Sequence, residues 1–66
     1  MNNDLPERRD ERGMSQADLA AAVGVSRQTI NAIERDRYDP SLELAFELAA
    51  EFGCRIEGIF DPDGGE

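Results

Sequence analysis

Residues 15–34, SQADLAAAVGVSRQTINAIE, are typical of two short helices joined by a tight turn. Ser15 stands at an N-cap position, and Asp18 three residues later takes the place of the acidic member of a capping box. Gly24 can adopt the left-handed conformation that ends a helix. Between them, apolar residues recur on one helical face: Leu19, Ala20 and Val23. The pattern predicts a helix that starts near Gln16 and ends before Gly24.

The second helix of this stretch follows Ser26, a second N-cap candidate, and carries Ile30 and Ile33 on one side. The side away from the isoleucines holds Gln28, Asn31, Ala32 and Arg35, with Arg27 nearer the boundary. Amides and guanidinium groups make paired hydrogen bonds with purine edges in the major groove. This polar face is therefore either a surface that reads base edges or an ordinary solvated helix face.

Several short motifs resemble the phage repressor and Cro-type helix-turn-helix family. They are Gln16, ADLA at 17–20, VGVS at 23–26, QTI at 28–30, IE at 33–34 and PS at 40–41. The resemblance extends from Leu5 to Phe60 with the correct spacing. It implies an all-α fold in which residues 1–60 form a compact five-helix domain, with a recognition helix from Ser26 to Arg35 in the DNA major groove.

The resemblance also implies roles for individual side chains. The residues expected to contact bases are Gln28, Asn31, Arg27 and Ala32. Those expected to contact phosphates are Gln16, Ser26, Arg35, Arg37 and Tyr38. In the family, an arginine at the position of Arg9 pairs with the glutamate at Glu34, which would tie the first helix to the recognition helix. Without the resemblance, Arg9 could be exposed and residues 35–40 a solvated loop.

The N-terminal helix is predicted from an Asn3 or Asp4 cap to about Arg12. Its pattern is unusual because three arginines share the face of its apolar residue, Leu5. Each periodic run in the chain has a period of 3.6 residues and none alternates, so we expect no β-strand.

A fourth helix is predicted between Ser41, as N-cap, and Gly53. The residues expected to face inward are Leu42, Ala45, Leu48, Ala49 and Phe52. Phe46 lies on a shoulder of this stripe. We expect it to pack against a neighbouring helix, and the alternative is a subunit interface.

A short fifth helix is predicted over residues 55–60, although Arg55 is a poor cap and Gly58 weakens a helix. A chain of 66 residues buries a marginal core. We therefore expect the apolar residues of this helix to form a homodimer interface: Ile56, Ile59 and Phe60. Residues 61–66, DPDGGE, are expected to be an acidic disordered tail.

The net charge of −8 is unusual for a protein that binds a polyanion. The charge is distributed unevenly, however. The net charge is −2 over residues 1–25, +1 over residues 26–38 and −7 over residues 39–66. Seven arginines and no lysine stand beside fifteen acids, a balance that resembles proteins from a salt-saturated cytoplasm. The alternative is an acidic protein with no such adaptation.

Several function classes are disfavoured by composition. Cys54 is the only cysteine and there is no histidine, so we expect no enzyme activity, no metal site and no cofactor. No apolar run has the length of a membrane span, and the N-terminal residues lack the apolar centre of a signal peptide. The sequence therefore predicts an intracellular, cytoplasmic protein with no membrane contact.

Two functions fit these features. The first is a sequence-specific, homodimeric transcriptional regulator that binds double-stranded DNA at a pseudo-palindromic operator and most simply acts as a repressor. The second is an interaction module, such as an antitoxin, that holds a protein partner and binds DNA secondarily.

Overall fold

The computed structural model describes residues 2–61, which form five helices and one pair of short strands. In chain order the elements are β1 (Asn2–Asn3), α1 (Leu5–Arg12), α2 (Gln16–Val23), α3 (Arg27–Glu34), α4 (Leu42–Phe52), α5 (Ile56–Ile59) and β2 (Phe60–Asp61). The predicted all-α, five-helix fold class is confirmed.

The strands β1 and β2 pair antiparallel, with Asn2 opposite Asp61 and Asn3 opposite Phe60. The expectation that the chain has no strand is therefore wrong. Asp61, which was assigned to the tail, belongs to this sheet, and residues 62–66 lie outside the described residues. A strand of two residues cannot show an alternating pattern, so periodicity could not reveal it.

The core is formed by apolar side chains from all five helices and from β2. They are Leu5, Leu19, Ala20, Ile30, Ile33, Leu44, Ala45, Leu48, Ala49, Phe52, Ile59 and Phe60. No polar or charged residue among residues 2–61 is buried with them. Burial of this apolar surface is the main stabilising force of the fold.

Helix α4 buries a different set of residues from the one predicted. Ala45, Leu48, Ala49 and Phe52 are buried as expected, together with Leu44. Leu42 is 68% exposed, and Phe46 is 59% exposed and does not pack against a neighbouring helix as expected. The buried arc is centred between Leu48 and Phe52, roughly 90° from Leu42 on the helical wheel. Both predictions, for Leu42 and for Phe46, are wrong.

Helix α1 is attached to the molecule through the buried Leu5 and through its arginines, which explains why three arginines share the face of Leu5. Arg8 donates to the Gly58 carbonyl at 3.0 Å, and Arg12 donates to the Glu51 carbonyl at 2.7 Å. The Arg12 guanidinium also lies 4.9 Å from the centre of the Phe52 ring. These contacts satisfy carbonyl groups of α4 and α5 that the helices themselves leave without a partner.

Candidate nucleic-acid interface

Helices α2 and α3 both begin at capped serines. In α2 the capping box is reciprocal, because the Asp18 amide donates to Ser15 Oγ at 2.9 Å and the Ser15 amide donates to Asp18 Oδ2 at 3.0 Å. The bond from the Ser15 amide lowers the pKa of Asp18. In α3, Ser26 Oγ accepts from the Thr29 amide at 3.1 Å. These bonds fix where each helix starts.

The predicted base-contact residues lie on the outer side of α3, opposite the buried Ile30 and Ile33. Arg27 and Gln28 are exposed, and Asn31 and Ala32 are half-buried. A shallow groove beside this side is lined by Ser26, Gln28, Thr29, Ala32 and Tyr38. The outer side of α3 is therefore open to a ligand along its length.

Gln16 and Asn31 are joined in a network with Glu34. Gln16 Nε2 donates to Glu34 Oε1 at 2.9 Å, and Asn31 Nδ2 lies 3.4 Å from Gln16 Oε1. The structure thus directs the Gln16 side chain towards α3, whereas the family resemblance assigned it to a phosphate. The bond from Gln16 to Glu34 is short, whereas the contact of Asn31 with Gln16 is long and correspondingly weak.

Arg9 and Glu34 form a two-point ion pair between α1 and α3. The Arg9 guanidinium donates to the two Glu34 carboxylate oxygens at 2.6 and 3.1 Å, and to the Met14 carbonyl at 2.9 Å. The Arg9 side chain is 16% exposed and that of Glu34 5%. The hydrogen bond to Glu34 raises the pKa of Arg9. The pair fixes the C-terminal end of α3 against α1.

The turn after α3 is closed without a glycine. Asp36 takes the left-handed conformation with φ of 61°, and its amide donates to the Ile33 carbonyl at 3.0 Å. The Arg37 amide donates to the Ala32 carbonyl at 2.9 Å, which completes a Schellman motif. The phosphate candidates that this turn positions, Arg35, Arg37 and Tyr38, are all exposed.

Asn3 is a residue of this site that the sequence analysis assigned only to helix capping. Its Nδ2 donates to the Ile33 carbonyl at 2.8 Å, and its Oδ1 accepts from the Leu5 amide at 3.2 Å. Asn3 therefore links the end of α3 to the strand pair and to α1. The sequence contains no signal for this contact, because it joins residues thirty positions apart.

The three residues predicted to form a dimer interface are only partly available. Ile59 and Phe60 are each 3% exposed within the single chain, and Ile56 is half-buried. The expectation that Ile59 and Phe60 leave apolar surface uncovered is therefore wrong. Both side chains are covered because α5 packs against α4 and leads directly into β2.

Residues 2–61 contain no group of three or more His, Cys, Asp or Glu side chains arranged to hold a metal ion. Cys54 is a half-buried free thiol. Within the same range no helix combines the length and the apolar character needed to cross a membrane.

Residues 7–59 match the model of the helix-turn-helix family. An uncharacterised HTH-type transcriptional regulator of Methanocaldococcus jannaschii is 55% identical over 60 residues, with 91% of each chain covered.

Two solved structures resemble the fold. The restriction-modification controller protein C.AhdI of Aeromonas hydrophila has a TM-score of 0.77 at 30% identity, with 85% of each chain covered. The DNA-binding domain of the P22 c2 repressor has a TM-score of 0.73 at 31% identity, with 86% of this chain and 82% of that one covered. The chain therefore belongs to the helix-turn-helix family and has the fold of a DNA-binding transcriptional regulator, not of an enzyme.

Proposed function

We propose that this protein is a sequence-specific, homodimeric transcriptional repressor that places α3 in the major groove of double-stranded DNA. The observation that carries the proposal is the open polar side of α3, held at one end by the Ser26 cap and at the other by the Arg9–Glu34 pair. Because both ends of α3 are fixed, the helix itself needs no further ordering before its amide side chains meet base edges.

Base recognition is assigned to α3 itself. Gln28 and Asn31 read base edges, Ala32 makes an apolar contact, and Arg27 at the first turn reaches a base or a phosphate. Gln28 is exposed, and Asn31 is half-buried beside Gln16.

Phosphate contacts are assigned to side chains around the ends of α2 and α3. Ser26, Arg35, Arg37 and Tyr38 are exposed, and Gln16 can donate its second amide N–H to a phosphate while the first stays bonded to Glu34. Residues 26–38 carry a net charge of +1 in a chain of net charge −8, so this segment is the part of the protein least repelled by DNA.

A homodimer would present two copies of α3 to two half-sites about 34 Å apart, one turn of the duplex. The operator would therefore be pseudo-palindromic.

The protein would act in the cytoplasm, and the excess of acids fits a cytoplasm rich in salt, where repulsion from DNA is screened.

Selection of bound fragments from random duplexes in concentrated potassium chloride tests the proposal. We expect a symmetric motif with two half-sites. Failure to enrich any sequence across a range of salt concentrations would contradict sequence-specific binding.

Two variants then test the division of contacts. Gln28→Ala should weaken binding by about 1–3 kcal/mol and relax the preference at one base pair. Arg37→Ala should weaken binding to every duplex alike. It should also reduce the slope of the logarithm of the binding constant against the logarithm of the salt concentration by about one. Each variant is the control for the other, and an equal loss on all sequences for both would refute the assignment.

The exposed Leu42 and Phe46 favour a second candidate function, an antitoxin-like module that holds a protein partner and binds DNA secondarily. This alternative predicts that the gene lies beside a toxin-like reading frame and that the partner covers α4. A symmetric operator upstream of the gene would favour the repressor.

A further inference from the structure

We infer that the shallow groove beside α3, the α3 groove, binds the 5-methyl group of a thymine in the operator. The groove is lined by Ser26, Gln28, Thr29, Ala32 and Tyr38. The inference rests on the proposed function and deepens it, because it names a base and gives Thr29 and the Tyr38 ring a part in recognising it. The sequence analysis assigned no role to Thr29 and only a phosphate contact to Tyr38.

The α3 groove lies on the side of α3 that is proposed to read bases. Gln28 and Ala32, which are one helical turn apart, both line it. The groove has a volume of about 270 Å³, and Gln28 and Tyr38 at its margin are exposed. A base edge that reaches Gln28 in the major groove therefore also comes within reach of the α3 groove.

The hydroxyl groups of Ser26 and Thr29 bond to each other, so the α3 groove is less polar than its residue types suggest. Ser26 Oγ and Thr29 Oγ1 lie 3.0 Å apart, and Ser26 Oγ also accepts from the Thr29 amide at 3.1 Å. A branched Cβ that directs Oγ1 to Ser26 directs its methyl group elsewhere. The part of Thr29 left for a ligand in the groove is therefore its methyl group.

Three apolar groups thus line the α3 groove: the methyl groups of Thr29 and Ala32 and the ring of Tyr38. Thr29 and Ala32 are half-buried, and Tyr38 is 49% exposed. A phosphate oxygen needs hydrogen-bond donors, and methyl groups and a ring face offer none. Among the four unmodified bases, only thymine presents a methyl group in the major groove, where alanine and threonine methyl groups contact it.

Gln28 indicates where in the half-site this thymine lies. Its amide, at the margin of the α3 groove, can make paired bonds with N6 and N7 of an adenine. We therefore expect a thymine at a base pair next to the one that Gln28 reads. The Tyr38 hydroxyl can still donate to a phosphate, because the ring and the hydroxyl are separate parts of one amphipathic side chain.

Replacement of thymine by deoxyuridine tests the inference without any change in the protein. The motif selected from random duplexes is synthesised with uracil at one thymine position of the half-site at a time, and affinity is measured in concentrated potassium chloride. At one position we expect binding to weaken by about 4-fold for each methyl group lost, the equivalent of one buried CH₂ group. The remaining thymine positions are the control, since uracil pairs with adenine as thymine does.

Cytosine methylation separates the methyl group from the rest of the base. A cytosine–guanine pair at the sensitive position should bind more weakly than the thymine–adenine pair. Methylation of that cytosine at C5 should then recover the share of the methyl group, about 4-fold for each half-site. No recovery would mean that the protein reads another part of the thymine, which would overturn the inference.

Protein variants test whether the methyl group lies in the α3 groove. Thr29→Ser keeps the hydroxyl that bonds to Ser26 and removes the methyl group, and Tyr38→Ala removes the ring. Both should bring the ratio of thymine affinity to uracil affinity closer to one. Tyr38→Phe is the matched control, because it keeps the ring. It should weaken binding to both duplexes alike and leave the ratio unchanged, and circular dichroism checks that each variant is folded.

The possible results separate this inference from the proposed function. Failure to select any motif would refute the proposed repressor and the thymine contact together. A selected motif that contains no thymine, or whose affinity no uracil changes, would overturn the inference and leave the repressor standing. A uracil effect that persists in full in both Thr29→Ser and Tyr38→Ala would place the methyl group outside the α3 groove and would also overturn it.

Discussion

Helices α1 and α4 are attached to the molecule by different forces. Helix α4 buries five apolar side chains, whereas α1 buries only Leu5. The rest of the attachment of α1 is polar, through Arg8 and Arg12 to backbone carbonyls and through Arg9 to Glu34. Apolar packing is non-directional, whereas each polar bond depends on one donor and one acceptor.

Because they are held by different forces, α1 and α4 should lose stability in different ways when they are mutated. A shortened side chain in α4 leaves a cavity whose cost depends on how far the surroundings relax. Removal of Glu34 leaves the mostly buried Arg9 guanidinium unpaired, whereas water can replace a lost partner in the exposed bonds of Arg8 and Arg12. The two helices should therefore respond differently when single partners and whole pairs are removed.

The largest effect is expected from Glu34→Ala, which leaves the mostly buried Arg9 unpaired. We expect a loss of about 3 kcal/mol in the free energy of unfolding, measured by urea denaturation. Leu48→Ala in α4 should lose a similar amount by forming a cavity. The double variant Arg9→Met with Glu34→Leu should recover much of the first loss, because no charge remains unpaired. A loss below about 0.5 kcal/mol for Glu34→Ala would mean that the pair behaves like an exposed one.

Asn3→Asp should have the next largest effect, because a carboxylate oxygen would face the Ile33 carbonyl in place of a donor. We expect a loss of about 1–2 kcal/mol, with faster amide hydrogen exchange at Asp36 and Arg37. Asn3→Ala, which removes the donor without adding a charge, is the control that separates the lost bond from the added carboxylate. Unchanged exchange at the end of α3 would show that the bond from Asn3 does not hold that turn.

The ends of α1 and α4 offer a comparison in which the two helices should behave alike. Gly13 and Gly53 both take left-handed conformations, with φ of 66° and 64°, and an added Cβ would meet no atom within 4 Å. Gly13→Ala and Gly53→Ala should therefore each cost about 1 kcal/mol through backbone strain alone. Thermal or urea unfolding measures both. A clear difference between the two losses would show that the way a helix is attached changes the energetic cost of a Cβ at its C-terminal end.

Arg12→Lys should give the smallest change, about 0.5–1 kcal/mol, measured by the same unfolding experiment. An ammonium group can donate to the Glu51 carbonyl, but it loses the planar contact with the Phe52 ring. The same exchange at Arg9 should cost more, since two carboxylate oxygens and the Met14 carbonyl depend on its guanidinium. Equal losses for the two variants would show that Arg9 and Arg12 depend on the guanidinium group to the same extent.

The sequence predicts the elements whose stabilisation is apolar and local. Capping serines, terminal glycines and the 3.6-residue period placed α2, α3 and α4 close to their observed bounds. The same rules predicted the bounds of α1 but not the role of Arg8 and Arg12, because these arginines bond to carbonyls that are distant in sequence. The rules were also wrong for Leu42. A helical wheel gives the spacing of residues around α4, but it does not show whether another element packs against the first turn of that helix.

In the site, the polar side of α3 follows from the spacing of Ile30 and Ile33. The inward bond of Gln16 and the contact from Asn3 to Ile33 do not, because each depends on how two elements are brought together in space. The burial of Ile59 and Phe60 likewise depends on how α5 packs against α4 and how β2 pairs with β1, and neither contact is visible in the sequence pattern.

That strand pairing has a consequence for the order of events during synthesis. Arg8 and Gly58 are fifty residues apart, and β1 pairs with a strand that follows Gly58 in the chain. At about 5–20 residues per second, the N-terminal strand leaves the ribosome several seconds before its partner. The α2–α3 pair depends on neighbouring residues and can form meanwhile. The proposed recognition helix is thus formed early, and its support through Asn3 is completed only after β2 has been synthesised.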